Sequence, residues 1–325
     1  MKIVAGLGSI DDYIDLVEAG ADEVFCGYVP YDWNKKYGNL FPLNRREVLY
    51  YNVQIGSLTD MKILRRMMDK YKVPVTITFN YLYYLEEQYE DIEKIIRDLT
   101  NIGFNEYIIA DIALITYLRE KEIDCIIHLS GEASEINSLS VDFYNKLDIS
   151  RYIFHRKNTI LDMESVIKNN SIKNLEYEAF MLNERCHYTG AFCSSLHCDE
   201  LAHLCKVPYH MAKFNRKSNR FETVDKKFND YYKIDEEYDY DDVDEKQYLV
   251  GGTGCGLCAL KKLQKAGVTH LKVVGRGNFI DLMIEDVKNL KKAINMLSST
   301  ENSIEFEGKV KQELFKGKCS GECYY

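Results

Sequence analysis

No stretch of the 325-residue chain approaches the roughly 20 apolar residues that a membrane-spanning helix needs. Positive charge is also short. Lysine and arginine number 42 against 51 aspartates and glutamates, a net charge of −9. That balance excludes generic affinity for nucleic acid or an anionic membrane surface, while leaving room for a local basic pocket. The opening run, MKIVAGLGSIDDYIDLVEAGADEV, turns acidic after a few apolar residues. It lacks the basic start and long apolar centre of a signal peptide, so a cytoplasmic protein is expected. Proline is scarce, at four residues, and tyrosine abundant, at 25. With the many lysines, asparagines and isoleucines, this reads as the codon bias of an AT-rich genome and carries little functional content. Two motifs are missing as well. There is no HExxH, and the first βα turn (AGLGSIDD) holds only two spaced glycines rather than a phosphate-binding fingerprint.

What is present in excess is cysteine, ten residues in all. Cys186, Cys193, Cys198 and Cys205 fall in ERCHYTGAFCSSLHCDELAHLCK, Cys255 and Cys258 in GGTGCGLC, and Cys319 and Cys323 in FKGKCSGECYY. In a reducing compartment such a set points to metal or cluster ligation rather than disulfides. A cubane cluster and a tetrahedral zinc site each take four ligands, so spacing alone leaves both open. The CxxxCxxC arrangement of radical S-adenosylmethionine enzymes is absent. His187, His197 and His203 lie among the cysteines as substitute ligands.

Around the cysteines, short apolar runs alternate with amphipathic ones. Strands are expected at Ile3–Leu7, Glu23–Cys26, Val75–Phe79, Tyr107–Ala110, Cys125–Leu129, Tyr152–Phe154, Leu175–Met181 and Leu271–Val274. Helices are expected at Ile10–Ala19, Met61–Tyr71, Glu90–Ile102, Ile112–Lys121, Val141–Leu147, Met163–Asn169, Leu257–Ala266 and Phe279–Leu297, with Gly20, Gly103 and Gly267 as stops. Eight continuous apolar strands alternating with helices specify an α/β fold, a (β/α)8 TIM-type barrel. An open doubly wound sheet is the competitor. Two connections are long: residues 27–58, and the cysteine-rich and acidic insertion 187–250 after strand seven. Long βα connections gather on the C-terminal face, where barrel active sites are built. The run DEEYDYDDVDEKQ reads as a solvated loop. The barrel is expected to span 1–298, with 299–325 a loose tail carrying the Cys319–Cys323 pair, which would close over the mouth onto a second metal, form a redox pair or have no role.

Polar groups at strand ends are the candidates for chemistry. Asn80, Asp111, His128, Ser130, His155, Arg156, Glu178 and Arg276 would ring the mouth. Arg156 and Arg276 suit a carboxylate or phosphate, His128 an acid–base role, and Lys272 a pairing with Glu178 inside the barrel.

The run EAFMLNERCHYTGAFC resembles the central signature of peptidase family U-32, the collagenase-like proteins, at Glu178, Phe180, Cys186 and Cys193. The segment CALKKLQKAGVTHLKVVGRGN is similar to the family's later element at Cys258, Ala266, Gly267, Val268, Lys272, Gly275 and Arg276. LVEAGADEVFCG and HLSGEASEIN resemble two others, so the likeness covers about residues 1–298. It implies a barrel and, as in several members, a [4Fe–4S] cluster on Cys186, Cys193, Cys205 and Cys258, with Cys198 and Cys255 as alternates. It implies oxygen-independent hydroxylation of ubiquinone precursors or RNA bases, in some members with prephenate as oxygen source. Here that gives an anionic small molecule, peptide or RNA base as substrate and a family paralogue as partner subunit. Arg276, Lys272, Glu178 and His128 are the expected catalytic groups. Peptide hydrolysis, with zinc as the metal, and a non-catalytic cluster-binding subunit are the alternatives. The chain departs from the pattern at Leu182 and Asn183, where the family has His-Gly. It departs again at Val273 and Val274, where an acidic residue is lost, and at Ser130, Gly131 and Glu132.

Overall fold

The strands close on themselves. β1 (Lys2–Gly6), β2 (Glu23–Tyr28), β4 (Val75–Phe79), β5 (Glu106–Ile109), β6 (Ile126–Leu129), β7 (Ile149–Ile153), β8 (Glu176–Leu182) and β11 (His270–Val273) pair in that order, every pair parallel, and β11 returns to β1. The structure, a computed structural model, describes residues 1–38, 41–45, 53–133, 136–186, 212–223, 248–315 and 319–325. β3 (Gln54–Ile55) adds to the end of β2, and β9 (Ala212–Asn215) with β10 (Arg220–Thr223) forms a hairpin within the insertion. All eight expected barrel strands form, with shifts of a few residues at their ends. The long insertion follows the seventh barrel strand, β8.

Helices cover the outside. In chain order they are α1 (Tyr13–Ala19), α2 (Tyr31–Tyr37), α3 (Leu58–Tyr71), α4 (Tyr89–Asn101), α5 (Ile112–Glu120), α6 (Ser138–Tyr144), α7 (Ile160–Asn169), α8 (Leu260–Ala266), α9 (Ile280–Met296) and α10 (Ser303–Glu313). Their ends follow local chemistry. The Ser57 side chain accepts from the Asp60 amide, Asp111 accepts from Ala113, and Thr159 and Asp162 cap one another reciprocally. α1 and α8 stop at Gly20 and Gly267, at φ of 111° and 98°.

Strand alternation divides the core in two. Val24, Cys26, Ile77, Tyr107, Ile109, Ile127, Leu129, Tyr152, Ala179, Met181, Leu271 and Val273 point outward into one large cluster beneath the helices. The alternate positions point inward, and there the apolar set is small: Val4, Phe25, Ile108, Ile153 and Phe180. The rest of the interior is polar, and this positions the site.

The last residues are not loose. α10 buries Phe306 and Val310, Phe315 is buried after it, and the helix packs on the turn at 257–259. Beyond it, the Tyr325 hydroxyl donates to the Phe180 carbonyl at 2.8 Å, and the Tyr324 hydroxyl donates to the carbonyl of Asn183. Apolar spacing in α10 and two tyrosines, with partners on β8 and just after it, hold this segment against the barrel. Among the described residues, no helix is long and apolar enough to cross a membrane.

Candidate functional site

The barrel interior is built from charges. Arg151 on β7 reaches Glu23 on β2 at 2.7 Å, and Glu176 and Glu178 on β8 at 2.7 and 3.1 Å. His270 Nε2 lies 3.1 Å from Glu23, and Lys2 closes the group at 2.8 Å. One step toward the C-terminal end, Lys272 Nζ lies 2.7 Å from Glu178 Oε1, the pairing expected from the sequence, and 3.8 Å over the Phe25 ring. Burial opposes ionisation of Glu178, but Lys272 and Arg151 outweigh it and hold the carboxyl below its usual range. His128 sits in this layer. Burial first, then the neighbouring Arg151, pushes its imidazole down to about 3, and its Nδ1 is buried with no hydrogen-bond partner among the described residues.

Above this floor the mouth holds a cavity of about 60 Å³ whose lining includes Arg45, Arg156, Lys272 and Arg276 as cations and Glu132 and Glu184 as carboxylates. Asn80, Thr78, Ser130 and Phe180 complete much of the wall. Glu132 is the organiser: Oε1 accepts from Arg156 Nη1 at 2.9 Å, and Oε2 lies 3.4 Å from Arg45 Nε. The Arg156 guanidinium stacks 3.9 Å over the Phe180 ring. Its Nε is buried without a hydrogen-bond partner among the described residues. Arg276 Nη1 donates to Thr78 Oγ1 at 3.0 Å and to Gln54 Oε1 at 3.4 Å. Gly27 makes that approach feasible, since a Cβ there would fall 1.5 Å from Gln54 Oε1 and 2.6 Å from Arg276 Nη1. Such an array, in a chain that is acidic overall, suits a carboxylate or phosphate.

Of the residues singled out in the sequence, Arg276, Lys272, Arg156, Asn80 and Ser130 line the cavity. Glu178 and His128 lie deeper and are not among its lining residues. Asp111 caps α5 and accepts from the Tyr84 amide, and His155 Nδ1 accepts from the Lys157 amide, both local structural bonds. Sequence reasoning missed Arg45, Gln54, Arg151, Glu23, His270 and Tyr324. A signal existed for Arg45 and Gln54, which lie in the long 27–58 connection. Arg151 and Glu23 open apolar runs and read as strand edges.

Cys186 follows β8 at the mouth, within electrostatic reach of Arg156 and Tyr324. Cys258 lies in the turn before α8, and burial raises its thiol to about 11. Cys193, Cys198, Cys205, His187, His197 and His203 lie outside the described residues. The charges nearest Cys258 are Lys311 and Glu307, and Cys255 has Cys258, Cys319 and Cys323 as its thiol neighbours. Among the described residues, no three His, Cys, Asp or Glu side chains stand together as metal ligands.

Comparison with known proteins adds the following. The family model of Peptidase family U32 matches residues 8–321. The tRNA hydroxylation protein P of Escherichia coli (strain K12) is 26% identical over 175 residues, which are 53% of this chain and 34% of that protein. The matched region thus spans about a third of the relative's length. Among solved structures, the U32 peptidase Mk0906 aligns over 56% of this chain and 68% of its own, with 10% identity and a TM-score of 0.42. Dihydrodipicolinate synthase from Bacillus clausii aligns over 98% and 82%, with 10% identity and a TM-score of 0.46. The barrel assignment rests on the closed strand ladder rather than on these superpositions.

Proposed function

The chain belongs to peptidase family U32, and from that premise we propose that it hydroxylates an anionic substrate without molecular oxygen, at the barrel mouth. The redox group would be a [4Fe–4S] cluster on Cys186, Cys193, Cys205 and Cys258, with Cys198 and Cys255 as alternates. The observation that carries the reading is the buried cationic mouth, with Arg156 fixed on Glu132 and Phe180 and its Nε without a hydrogen-bond partner among the described residues. Cys186, a cysteine at the same mouth, supports it, because thiolates are the donors a cubane takes. When bound, the cluster would supply electron transfer or an iron site open to an oxygen donor.

The chain's own residues have separate tasks. Arg156, Arg45 and Arg276 hold the anionic group, and Glu132 fixes the plane of Arg156. The Lys272–Glu178 pair forms a charged floor under the cavity. Tyr324 and Tyr325 hold the carbonyls of Asn183 and Phe180, the latter residue being part of the wall. A volume of about 60 Å³ takes a group the size of about two waters. A carboxylate or phosphate fits, and the body of the substrate lies outside. The relative named as a tRNA hydroxylation protein makes an RNA nucleotide the favoured substrate class. With a net charge of −9, RNA would be engaged at the mouth rather than along a basic face.

The test is mass spectrometry of RNA nucleosides and small organic acids from anaerobic cells with and without the protein. A species that gains one oxygen atom should disappear on deletion. Wild type should restore it, and Arg156→Ala or Arg276→Ala should not. No oxygen-gaining species, together with peptide hydrolysis that survives iron chelation, contradicts the proposal.

A further inference from the structure

The backbone turns sharply where β8 ends. Asn183 and Glu184 lie in the left-handed region, at φ of 69° and 52°, which residues other than glycine rarely adopt. Neighbouring segments hold the turn. The Asn183 side-chain amide donates to Asp286 Oδ2 at 2.6 Å and to the Val274 carbonyl at 3.1 Å. Its backbone amide donates to the Gly254 carbonyl at 2.9 Å, and the Arg185 amide donates to the Thr253 carbonyl at 2.7 Å. The Tyr324 hydroxyl donates to the Asn183 carbonyl. It arrives there because Cys323 and Cys255 are register partners in a parallel bridge. Helix, strand end, loop and tail thus converge on one strained turn. What the turn delivers is Glu184, which lines the anion cavity and acts by charge on Arg156 and Tyr324.

Glu184 changes the charge balance of the cavity. Among the described residues, the lining cations are Arg45, Arg156, Lys272 and Arg276. Glu132 offsets one of the Arg45 and Arg156 charges, and Glu178, beneath the cavity, offsets Lys272. Deeper in the barrel, Arg151 and Lys2 offset Glu23 and Glu176, so that layer adds no net charge while its histidines are neutral. Without Glu184, two positive charges would be left at the mouth, a match for a doubly charged anion. With it, one is left.

We infer that the cavity takes a singly charged anion, and that Glu184 sets this preference by opposing a second negative charge. The preference rests on the anion-binding part of the hydroxylation reading and narrows it. Carboxylates and phosphodiesters share the required chemistry: one charge spread over two oxygens, which an arginine fork holds bidentately. A phosphomonoester carries close to two charges above its second pKa of about 6. In this cavity one of those charges would face Glu184 without a cation to balance it, and low local dielectric magnifies the cost. The substrate therefore presents a carboxylate or an internal backbone phosphate, not a terminal phosphate. Glu184 is a specificity-determining residue, and the Asn183 turn holds it to that task.

The full chain, purified anaerobically, is titrated with acetate, dimethyl phosphate and methyl phosphate at about pH 7.5, where methyl phosphate is mostly doubly charged. Ionic strength is matched, and affinity is read by calorimetry and by the rise in melting temperature. Wild type should bind at least one of the two monoanions about fivefold or more tightly than methyl phosphate. Coulomb energy is proportional to ligand charge, so Glu184→Gln should tighten the monoanion about threefold and methyl phosphate about tenfold. Glu184→Asp keeps the charge and should keep the wild-type order. A turn merely loosened by substitution would weaken all three ligands and leave their ratio unchanged, and that result in Glu184→Gln overturns the inference. So does methyl phosphate binding more tightly than both monoanions in wild type. Acetate as the tighter monoanion assigns a carboxylate, dimethyl phosphate a backbone phosphate, and either supports the preference. Failure of all three to bind would overturn the anion site, and both readings with it. Monoanion preference with no oxygen-gaining species in cells would sink hydroxylation alone.

Discussion

Glu178→Gln removes the carboxylate between two buried cations. The residue is fully buried, with Lys272 Nζ at 2.7 Å from Oε1 and Arg151 Nη1 at 3.1 Å from Oε2. The loss falls unevenly. Arg151 keeps Glu23 and Glu176, each at 2.7 Å, whereas Lys272 keeps only the face of the Phe25 ring among the contacts described above. Coulomb's law at an effective dielectric of about 20 gives roughly 6 kcal/mol for unit charges at the Lys272–Glu178 separation, before desolvation is subtracted. Breaking a buried pair from one side costs about 3–5 kcal/mol, because the remaining charge stays buried. The single variant should lose about that much. Glu178→Gln/Lys272→Met, which removes both charges, should recover roughly 2 kcal/mol or more as a coupling energy. Urea unfolding followed by circular dichroism reads all three chains, with the slope checked for constancy. Glu178→Gln within about 0.5 kcal/mol of wild type, or a double variant that is simply additive, would refute the reading of the floor as a coupled ion pair.

Three further outcomes follow from the mouth and the interior. Arg156→Lys keeps the charge but loses the fork on Glu132 and the plane over Phe180, so affinity for an anionic substrate should fall about tenfold; titration calorimetry checks it, and wild-type affinity contradicts it. Gly27→Ala meets only the ends of two flexible side chains, Gln54 and Arg276. Its stability cost should therefore be about 1–3 kcal/mol, while displacement of Arg276 lowers turnover by about tenfold or more. Acid should destabilise the fold in a defined window. Burial holds His128 down to about 3 and His155 down to about 4. The unfolded chain binds those protons below about 6.5, so stability drops as pH falls from there toward the folded values. Glu178 and Glu23, held below their usual range, lose their contribution in the same direction at lower pH. His128→Gln should flatten the slope of stability against pH between about 3 and 6.5, and an unchanged slope contradicts the assignment.

The barrel was legible because its outward strand face is apolar in every repeat. Tyr107, Ile109, Ile127 and Leu129 bury against helices, and helix stops at Gly20 and Gly267 mark the repeat length. The inward face was harder to read. Glu23, Arg151 and His270 each open an apolar run, and only closure of the sheet brings them together. Part of the mouth was visible, since Arg156, Lys272 and Arg276 stand at strand ends where a barrel places its chemistry. Arg45 and Gln54 were not, because they arrive from a long connection whose path follows from tertiary contacts. The pairing of Cys255 with Cys323 depends on the tail returning to the barrel. The apolar spacing of Phe306 and Val310 hints that α10 packs, but not where it leads.

The cluster is the claim on which the functional account stands, and metal content tests it most directly. Protein purified without oxygen should be brown and carry about four irons and four acid-labile sulfides per chain, lost on Cys186→Ser. A colourless chain that holds zinc and no iron or sulfide would contradict the hydroxylation proposal.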